Sequence, residues 1–269
     1  MSPIITRPQV LITGGAGFIG ANLVNKLLRL NYNINLIVKD STNLWRIKSI
    51  LSQINLHKVD LLDTNNLKKI IEKINPSIIF HLATYNAYGD QGASAEMIEA
   101  NINGALNLLN ATKNVDYNIF INKGSSSEYG IKCVPMKESD LLEPISFYAA
   151  TKASATLLSQ VFAREYKKPI IILRPFSVFG PFEDKKRFIP TIIKAIIESR
   201  PINLTPGDQR RDFIYVDDVT DIYIKTIPYG KKLSGQVLNM GTGIEYTNDE
   251  VVQTLFEESG KKVKIEKGG

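Results

Sequence analysis

The stretch Gln9-Val-Leu-Ile-Thr-Gly-Gly-Ala-Gly-Phe-Ile-Gly20 decides the fold of this chain. Gln9–Thr13 reads as a strand, apolar through its centre. Glycines follow at positions 14, 17 and 20. Phe18–Leu30 then reads as a helix, with Ile19, Leu23, Leu27 and Leu30 on one face. Gly14 permits a sharp turn, Gly17 lets the backbone come up to a pyrophosphate, and Gly20 lets helix and strand pack closely. The helix start, at Phe18 and Ile19, adds free N–H groups and the positive end of the helix dipole. Three such glycines alone say little, but between a strand and a helix they mark a cradle for dinucleotide phosphates.

Outward from this unit the pattern repeats. Asn33–Val38, Asn55–Val59, Ser77–Leu82, Asn118–Asn122 and Ile170–Arg174 are further candidate strands. They are rich in Ile, Val and Leu and barely alternate, as strands covered on both faces do. Between them lie candidate helices at Thr64–Ile74, Ala95–Thr112 and Ser146–Tyr166. The alternation predicts an α/β, Rossmann-type, doubly wound parallel sheet. After Pro175 the pattern loosens to helix Ile189–Ser199, strands Ile202–Leu204 and Asp212–Val216, helix Asp217–Ile227, strand Gln236–Met240 and helix Asn248–Ser259. We therefore expect a dinucleotide-binding domain over 1–174 and a small α/β substrate lobe over 175–269, interleaved with the first. Lys264–Gly269 offers no apolar closing element.

Composition narrows the function classes. The chain has 269 residues, 43% of them hydrophobic, which excludes a disordered or low-complexity protein. One cysteine, Cys133, excludes an intrachain disulfide framework, and two histidines, His57 and His81, speak against a His-rich metal centre. The net charge of +6 is dispersed, which favours anionic small molecules over nucleic acid. No apolar run reaches membrane-spanning length, and no signal-peptide pattern opens the chain, so a cytoplasmic protein with no membrane partner is the expectation.

Several strand ends carry candidate chemistry. Val38 occupies the place where a carboxylate would grip the ribose 2′-hydroxyl of NAD; Lys39 follows, with Ser41 and Arg46 nearby, which suits the 2′-phosphate of NADP. Asp40 is the contrary sign, and NAD remains the alternative. Asp60 is placed to accept from the adenine amino group with Leu61 against the ring, whereas Asp63 reads as a helix cap. Leu82, Ala83 and Thr84 end the fourth strand with backbone and small side chains fit to line a cofactor. Tyr148 and Lys152 share a helix face at i, i+4. A lysine ammonium beside a cofactor cation lowers a tyrosine pKa, so the phenol can exchange a proton with a carbinol or carbonyl. Upstream, Gly124-Ser-Ser-Ser-Glu-Tyr-Gly130 supplies a hydroxyl for the same oxygen, best Ser126.

These motifs together resemble the extended short-chain dehydrogenase/reductases, the nucleotide-sugar epimerases, dehydratases and reductases. The resemblance rests on Thr13–Gly20, Asp60, His81–Ala83, Ser125–Gly130, Tyr148–Lys152, Arg174–Pro181 and Gly207–Asp218, in family order over nearly the whole chain. It implies that Tyr148 is the acid/base, Lys152 the residue that holds the nicotinamide ribose, and Ser126 the hydroxyl partner. Phe176 and Val178 would sit by the nicotinamide. Thr84, Ser126, Ser127, Ser177, Arg187 and Arg211 would meet a nucleotide-diphosphate sugar, Arg211 at its phosphates. Arg211 could instead pair with Asp208 or Asp212. Ser177 stands where family members often have Asn. Dehydratases place carboxylates just after the catalytic hydroxyl, and Glu128 is the candidate here, one residue closer to the Tyr-Gly pair than usual. Val38–Arg46, His81–Tyr88 and Ser125–Gly130 most resemble sugar 4-ketoreductases that make CDP-abequose or CDP-paratose. The implied reaction is hydride transfer from NADPH to C4 of a 4-keto-6-deoxyhexose. A 4-epimerase, a 4,6-dehydratase and a cofactor-sensing regulator on the same fold are the alternatives. No metal is implied.

Assembly is legible too. Met97, Ile98, Ile102, Leu106 and Leu109 form one apolar stripe, and Ala150, Ser154, Leu157, Leu158 and Val161 another, opposite Tyr148 and Lys152. In the family resembled, these helices commonly pair with their symmetry mates, so a homodimer is expected.

Overall fold

The computed structural model describes residues 7–85, 94–204 and 207–267. Asn86–Tyr88 of the fourth-strand signature lie outside them. The strands are β1 (Gln9–Thr13), β2 (Asn33–Val38), β3 (Asn55–Lys58), β4 (Ile78–His81), β5 (Ile119–Lys123), β6 (Ile170–Pro175), β7 (Ser177–Phe179), β8 (Ile202–Leu204), β9 (Arg210–Arg211), β10 (Phe213–Tyr215), β11 (Val237–Met240), β12 (Tyr246–Thr247) and β13 (Ile265–Lys267). Seven of them build one parallel sheet in the order β11-β6-β5-β4-β1-β2-β3. The order reverses between β1 and β4. Such a switch point opens a crevice at the carboxyl ends of the strands.

Helices α1 (Phe18–Arg29), α2 (Thr64–Ile74), α3 (Ser94–Ile98), α4 (Gly104–Thr112), α5 (Phe147–Glu165), α6 (Phe188–Ile197), α7 (Val216–Thr226) and α8 (Asn248–Ser259) complete the fold. The near-continuous apolar strands are explained by two cores. On one face Val10, Ile12, Leu36 and Phe80 pack against Leu23 and Leu27 of α1 and Tyr223 of α7. On the other, Leu11, Ile79 and Phe120 pack against Leu67 of α2, Leu108 of α4 and Phe162 of α5. Asp63 caps α2, its carboxylate accepting from the Asn66 amide at 3.1 Å.

The later half of the chain is divided in space. α7 packs against α1, and β11 extends the main sheet beside β6. A separate small core of Ile192, Ile196, Ile202, Val252 and Phe256 joins α6, β8 and α8. Within the stretch read above as lacking a closing element, Ile265–Lys267 form β13, which pairs in parallel with β8. Ile265 of β13 also packs on that small core, beside Val263. Two further elements escape periodicity. Trp45–Gln53 is a 3₁₀ segment burying only Ile47 and Ile50. The stretch expected as one helix over 95–112 is α3 and α4 joined by a π-turn at Glu99–Asn103. Among the described residues no helix is long and apolar enough to cross a membrane.

Candidate active site

A cavity of about 730 Å³ follows the carboxyl ends of β1, β2, β4 and β5. Gly14, Gly17, Phe18, Ile19 and Gly20 line one stretch of it. Gly14 has φ +74°, and a Cβ there would land on the Ala83 amide; a Cβ on Gly20 would meet the Gly14 carbonyl. The β1–α1 turn therefore touches the end of β4 backbone to backbone. No side chain caps α1 and its first turn holds no acidic residue, which leaves its amides to an anion. Leu82, Ala83 and Thr84 form the adjoining wall. The residues of the cradle fit an extended dinucleotide, whose phosphates the free amides at Gly17–Gly20 could meet.

The far end, past β2, holds Lys39, Ser41, Thr42 and Arg46, with Leu61 beside them. Lys39 pairs with Asp60 at 3.2 Å, and Asp60 itself is not on the cavity wall. Asp60 also accepts from the Leu62 amide at 3.0 Å. Asp40 is not on the wall; it is exposed and pairs with Lys58 at 3.3 Å. The Arg46 guanidinium lies 4.5 Å from the Trp45 ring centre, and its Nε donates to the Phe182 carbonyl at 2.8 Å. Arg187 lines the same cavity and pairs with Glu183 at 3.5 Å. Burial raises the pKa of the Glu183 carboxyl.

The opposite end is set by α5. Ser146 caps it, its hydroxyl accepting from the Ala149 amide at 3.1 Å, and Tyr148 follows on the cavity wall. Lys152, one turn later, is 2% exposed. Burial brings its pKa down to about 8, against the opposing pull of Glu128. His81 is also buried, bonded through Nδ1 to the Thr13 hydroxyl at 2.7 Å. Burial, then the charges of Lys152 and Lys123, hold it at about 3, so it is a neutral structural histidine.

The serine run is placed more finely than its sequence allows. Ser125, not Ser126, is on the cavity wall with Tyr148. Ser125 is the cap residue of a short 3₁₀ turn (Ser126–Tyr129), which carries Ser126 and Ser127 away from the wall. Its Oγ lies 2.7 Å from Ser127 Oγ. Glu128 is not in the cavity either. It is fully buried, accepting from Arg174 Nε at 2.9 Å and from the Ser125 amide at 2.7 Å, with Arg174 Nη2 at 2.8 Å. This carboxylate is thus held beneath the loop, bonded to Arg174 and to the Ser125 amide. The Arg174 guanidinium also covers the Tyr129 ring at 4.6 Å.

Phe176 and Val178 line the cavity; Ser177 does not, and its amide donates to the Asp212 carbonyl at 2.9 Å. Arg211 is exposed on β9 against Tyr246, off the cavity wall. Asp212 instead accepts from Thr242 and Gly243, so no Arg211–Asp212 pair forms among the described residues. Asn101 is among the contributors that escaped the sequence. On the π-turn, it accepts from the Tyr85 amide at 2.7 Å and donates to Thr151 Oγ1 at 3.0 Å, tying the β4 loop to α5. No group of three or more metal-binding side chains occurs among the described residues.

Residues 10–241 match the NAD dependent epimerase/dehydratase family. The chain belongs to this family. It is 29% identical over 268 residues to a dTDP-D-glucose 4,6-dehydratase of Dictyostelium discoideum, covering 92% of this chain and 61% of that protein. To a UDP-glucuronate 4-epimerase of Thermodesulfobacterium geofontis it is 32% identical over 271 residues, covering 95% and 82%. Among solved structures, the UDP-glucuronic acid 4-epimerase of Bacillus cereus in complex with UDP-glucuronic acid and NAD superposes with a TM-score of 0.84 at 29% identity, over 96% of this chain and 85% of that one. The UDP-glucose 4-epimerase of Thermotoga maritima with UDP-glucose gives 0.85 at 26% identity, over 97% and 86%. The fold shared with these structures is the Rossmann-type parallel sheet.

The Glu128–Arg174 pair yields a test. Removing one partner of a buried pair leaves the other charge unanswered, at a cost of about 3–5 kcal/mol. Glu128→Ala should lower unfolding stability by that amount in urea denaturation, and turnover with it, since the Ser125 amide loses its acceptor. A loss below about 1 kcal/mol would mean that the pair is solvated and does not hold the loop.

Proposed function

We propose that this chain is a nucleotide-sugar oxidoreductase that moves hydride at C4 of the hexose, with Tyr148 moving the proton. The observation that carries this reading is the withdrawal of Glu128. A dehydratase needs a carboxylate beside the catalytic hydroxyl, and the one the sequence offers is locked under the loop by Arg174. Redox chemistry at C4 needs Tyr148 and Ser125 on the cavity wall, with Lys152 buried one turn from Tyr148. A bound nicotinamide dinucleotide supplies or takes up the hydride. Tyr148 gives its phenolic proton to the C4 oxygen in reduction, or receives it in oxidation. Lys152, charged below about pH 8, holds the nicotinamide ribose and favours the phenolate. Ser125 bonds the same oxygen and fixes its position. Arg211, exposed on β9 outside the cavity, would meet the substrate phosphates where the nucleotide runs past the wall. The net reaction we favour is reduction of an NDP-4-keto-6-deoxyhexose, on the resemblance of 38–46 and 125–130 to sugar 4-ketoreductases. A second reading, 4-epimerisation with retained cofactor, is favoured by the strap at 181–182. It closes on α1 and the Trp45 segment through Asn22–Pro181 (2.8 Å), Arg46–Phe182 (2.8 Å) and the edge-on Trp45–Phe182 rings (6.1 Å).

Tyr148→Phe should lose about a hundred- to ten-thousand-fold in turnover and keep its cofactor affinity. The assay is absorbance of NAD(P)H with a panel of nucleotide 4-keto-6-deoxysugars. Stoichiometric consumption supports reduction; interconversion of nucleotide hexoses without consumption supports epimerisation. Full turnover by Tyr148→Phe would end both readings.

For the cofactor we propose NADP, because Lys39 and Arg46 line the adenosine end while Asp40 stays off the wall. The Bacillus cereus epimerase was solved with NAD, which keeps NAD as the alternative. Arg46→Ala and Lys39→Ala should each weaken NADPH by about 1.5–3 kcal/mol and leave NADH nearly unchanged in direct binding titrations. Equal losses for both would assign the site to NAD.

We also propose a homodimer. Ile98 of α3 and Phe147, Leu157 and Val161 of α5 are exposed. Leu158, by contrast, packs inward on the α2–α4 core. Light scattering should give twice the 30.0 kDa chain mass, and Leu157→Glu should give monomers. A wild-type protein that stays monomeric when concentrated would refute the pairing.

A further inference from the structure

Lys123 is used by nothing described so far. It ends β5, at the point where the chain leaves the sheet for Ser125, and it lines the cavity. Among the described residues no hydrogen bond or ion pair engages its ammonium. The charged and titratable groups on the elements around it do not answer it. His81 on β4 is neutral. Lys152 on α5 carries the same sign, and Tyr148 on that helix is a phenol. On the loop after β5, Glu128 is already held by Arg174 of β6. An aliphatic side chain would fill this stretch of wall without the cost of a poorly solvated, unanswered charge. Burial, with repulsion from Lys152, brings the Lys123 pKa down to about 7.

Lys123 on the wall and Lys152, buried one turn from Tyr148, therefore both bear on the Tyr148 end of the cavity, the end away from the phosphate cradle. Under the reading that a nicotinamide dinucleotide lies in this cavity, that end receives the nicotinamide. The ring carries a positive charge when oxidised and none when reduced. We propose that Lys123 acts beside Lys152 as a second cation at the nicotinamide, biasing the bound cofactor toward its reduced form. Like charges a few ångströms apart in a partly buried site repel strongly, whereas a neutral ring meets no such penalty. The bias aids hydride uptake from the sugar and so deepens the retained-cofactor reading in particular. It also makes affinity for the oxidised form depend on pH. Below pH 7 the ammonium opposes the cationic ring; above it the amine does not.

The test is equilibrium binding of the reduced and oxidised forms of the tighter-binding dinucleotide between pH 5.5 and 8, the reduced form by its fluorescence and the oxidised form by displacement. In the wild type the ratio of affinities, reduced over oxidised, should fall about tenfold or more through a step near pH 7. Lys123→Met should remove that step while Lys152 still titrates higher, and Lys123→Arg should hold the ratio high to pH 8. A Lys123→Met protein with the wild-type ratio and pH course overturns the proposal. If that variant does not fold, Lys123→Arg decides, because a ratio that falls as in the wild type overturns it equally. Binding of both forms with no dependence on these substitutions refutes Lys123 alone. Binding of neither form refutes the cofactor reading together with it.

Discussion

Everything in this molecule depends on how closely the β1–α1 turn approaches the end of β4. Gly14 and Ala83 meet main chain to main chain, and Gly20 sits directly on the Gly14 carbonyl. Side chains would separate these segments by several ångströms and leave no groove in which phosphates could reach the amides of α1. Strands β1, β4 and β5 end at the same level in the sheet, so the turn, the β4 loop and the serine run open onto one cavity. The chain reversal between β1 and β4 is what opens that cavity at all.

The acid–base end is held by a second layer of buried polar bonds. Glu128 joins the Ser125 amide to Arg174, Arg174 covers Tyr129, and the Tyr129 hydroxyl donates to Asn239 at 2.8 Å. Asn101 does the same service between the β4 loop and Thr151 of α5. Glu128, Arg174, Tyr129 and Asn101 fix the backbone that presents Ser125 and Tyr148 without lining the cavity themselves. A site that works by orientation gains from such rigid support. The lysines lie inside this frame at low solvation, and that is why their charges carry weight.

What the sequence made legible was whatever local pattern encodes. The Ile-, Val- and Leu-rich runs located β1 to β6 to within a residue or two, and the i, i+4 spacing put Tyr148 and Lys152 on one helix face. What it hid was set by distant partners. Three consecutive serines look alike until the 3₁₀ turn makes Ser125 the cap, and Glu128 looks catalytic until Arg174, 46 residues on, claims it. The π-turn at 99–103 preserves an apolar rhythm, so nothing local marks it; its reason is the bond of Asn101 to the loop at 85. Lys39 and Asp60 were each assigned a ligand, whereas the fold lets them pair.

The central claim is that one cavity holds a dinucleotide with its phosphates at the β1–α1 turn and its nicotinamide between Lys123, Tyr148 and Lys152. A crystal structure of the protein grown with reduced dinucleotide tests it most directly. The account predicts pyrophosphate oxygens within hydrogen-bond reach of the Gly17–Gly20 amides, the nicotinamide ribose on Lys152, and the ring face open toward the Tyr148 hydroxyl and Ser125. A dinucleotide bound elsewhere, or one whose nicotinamide lies away from Tyr148, would contradict it.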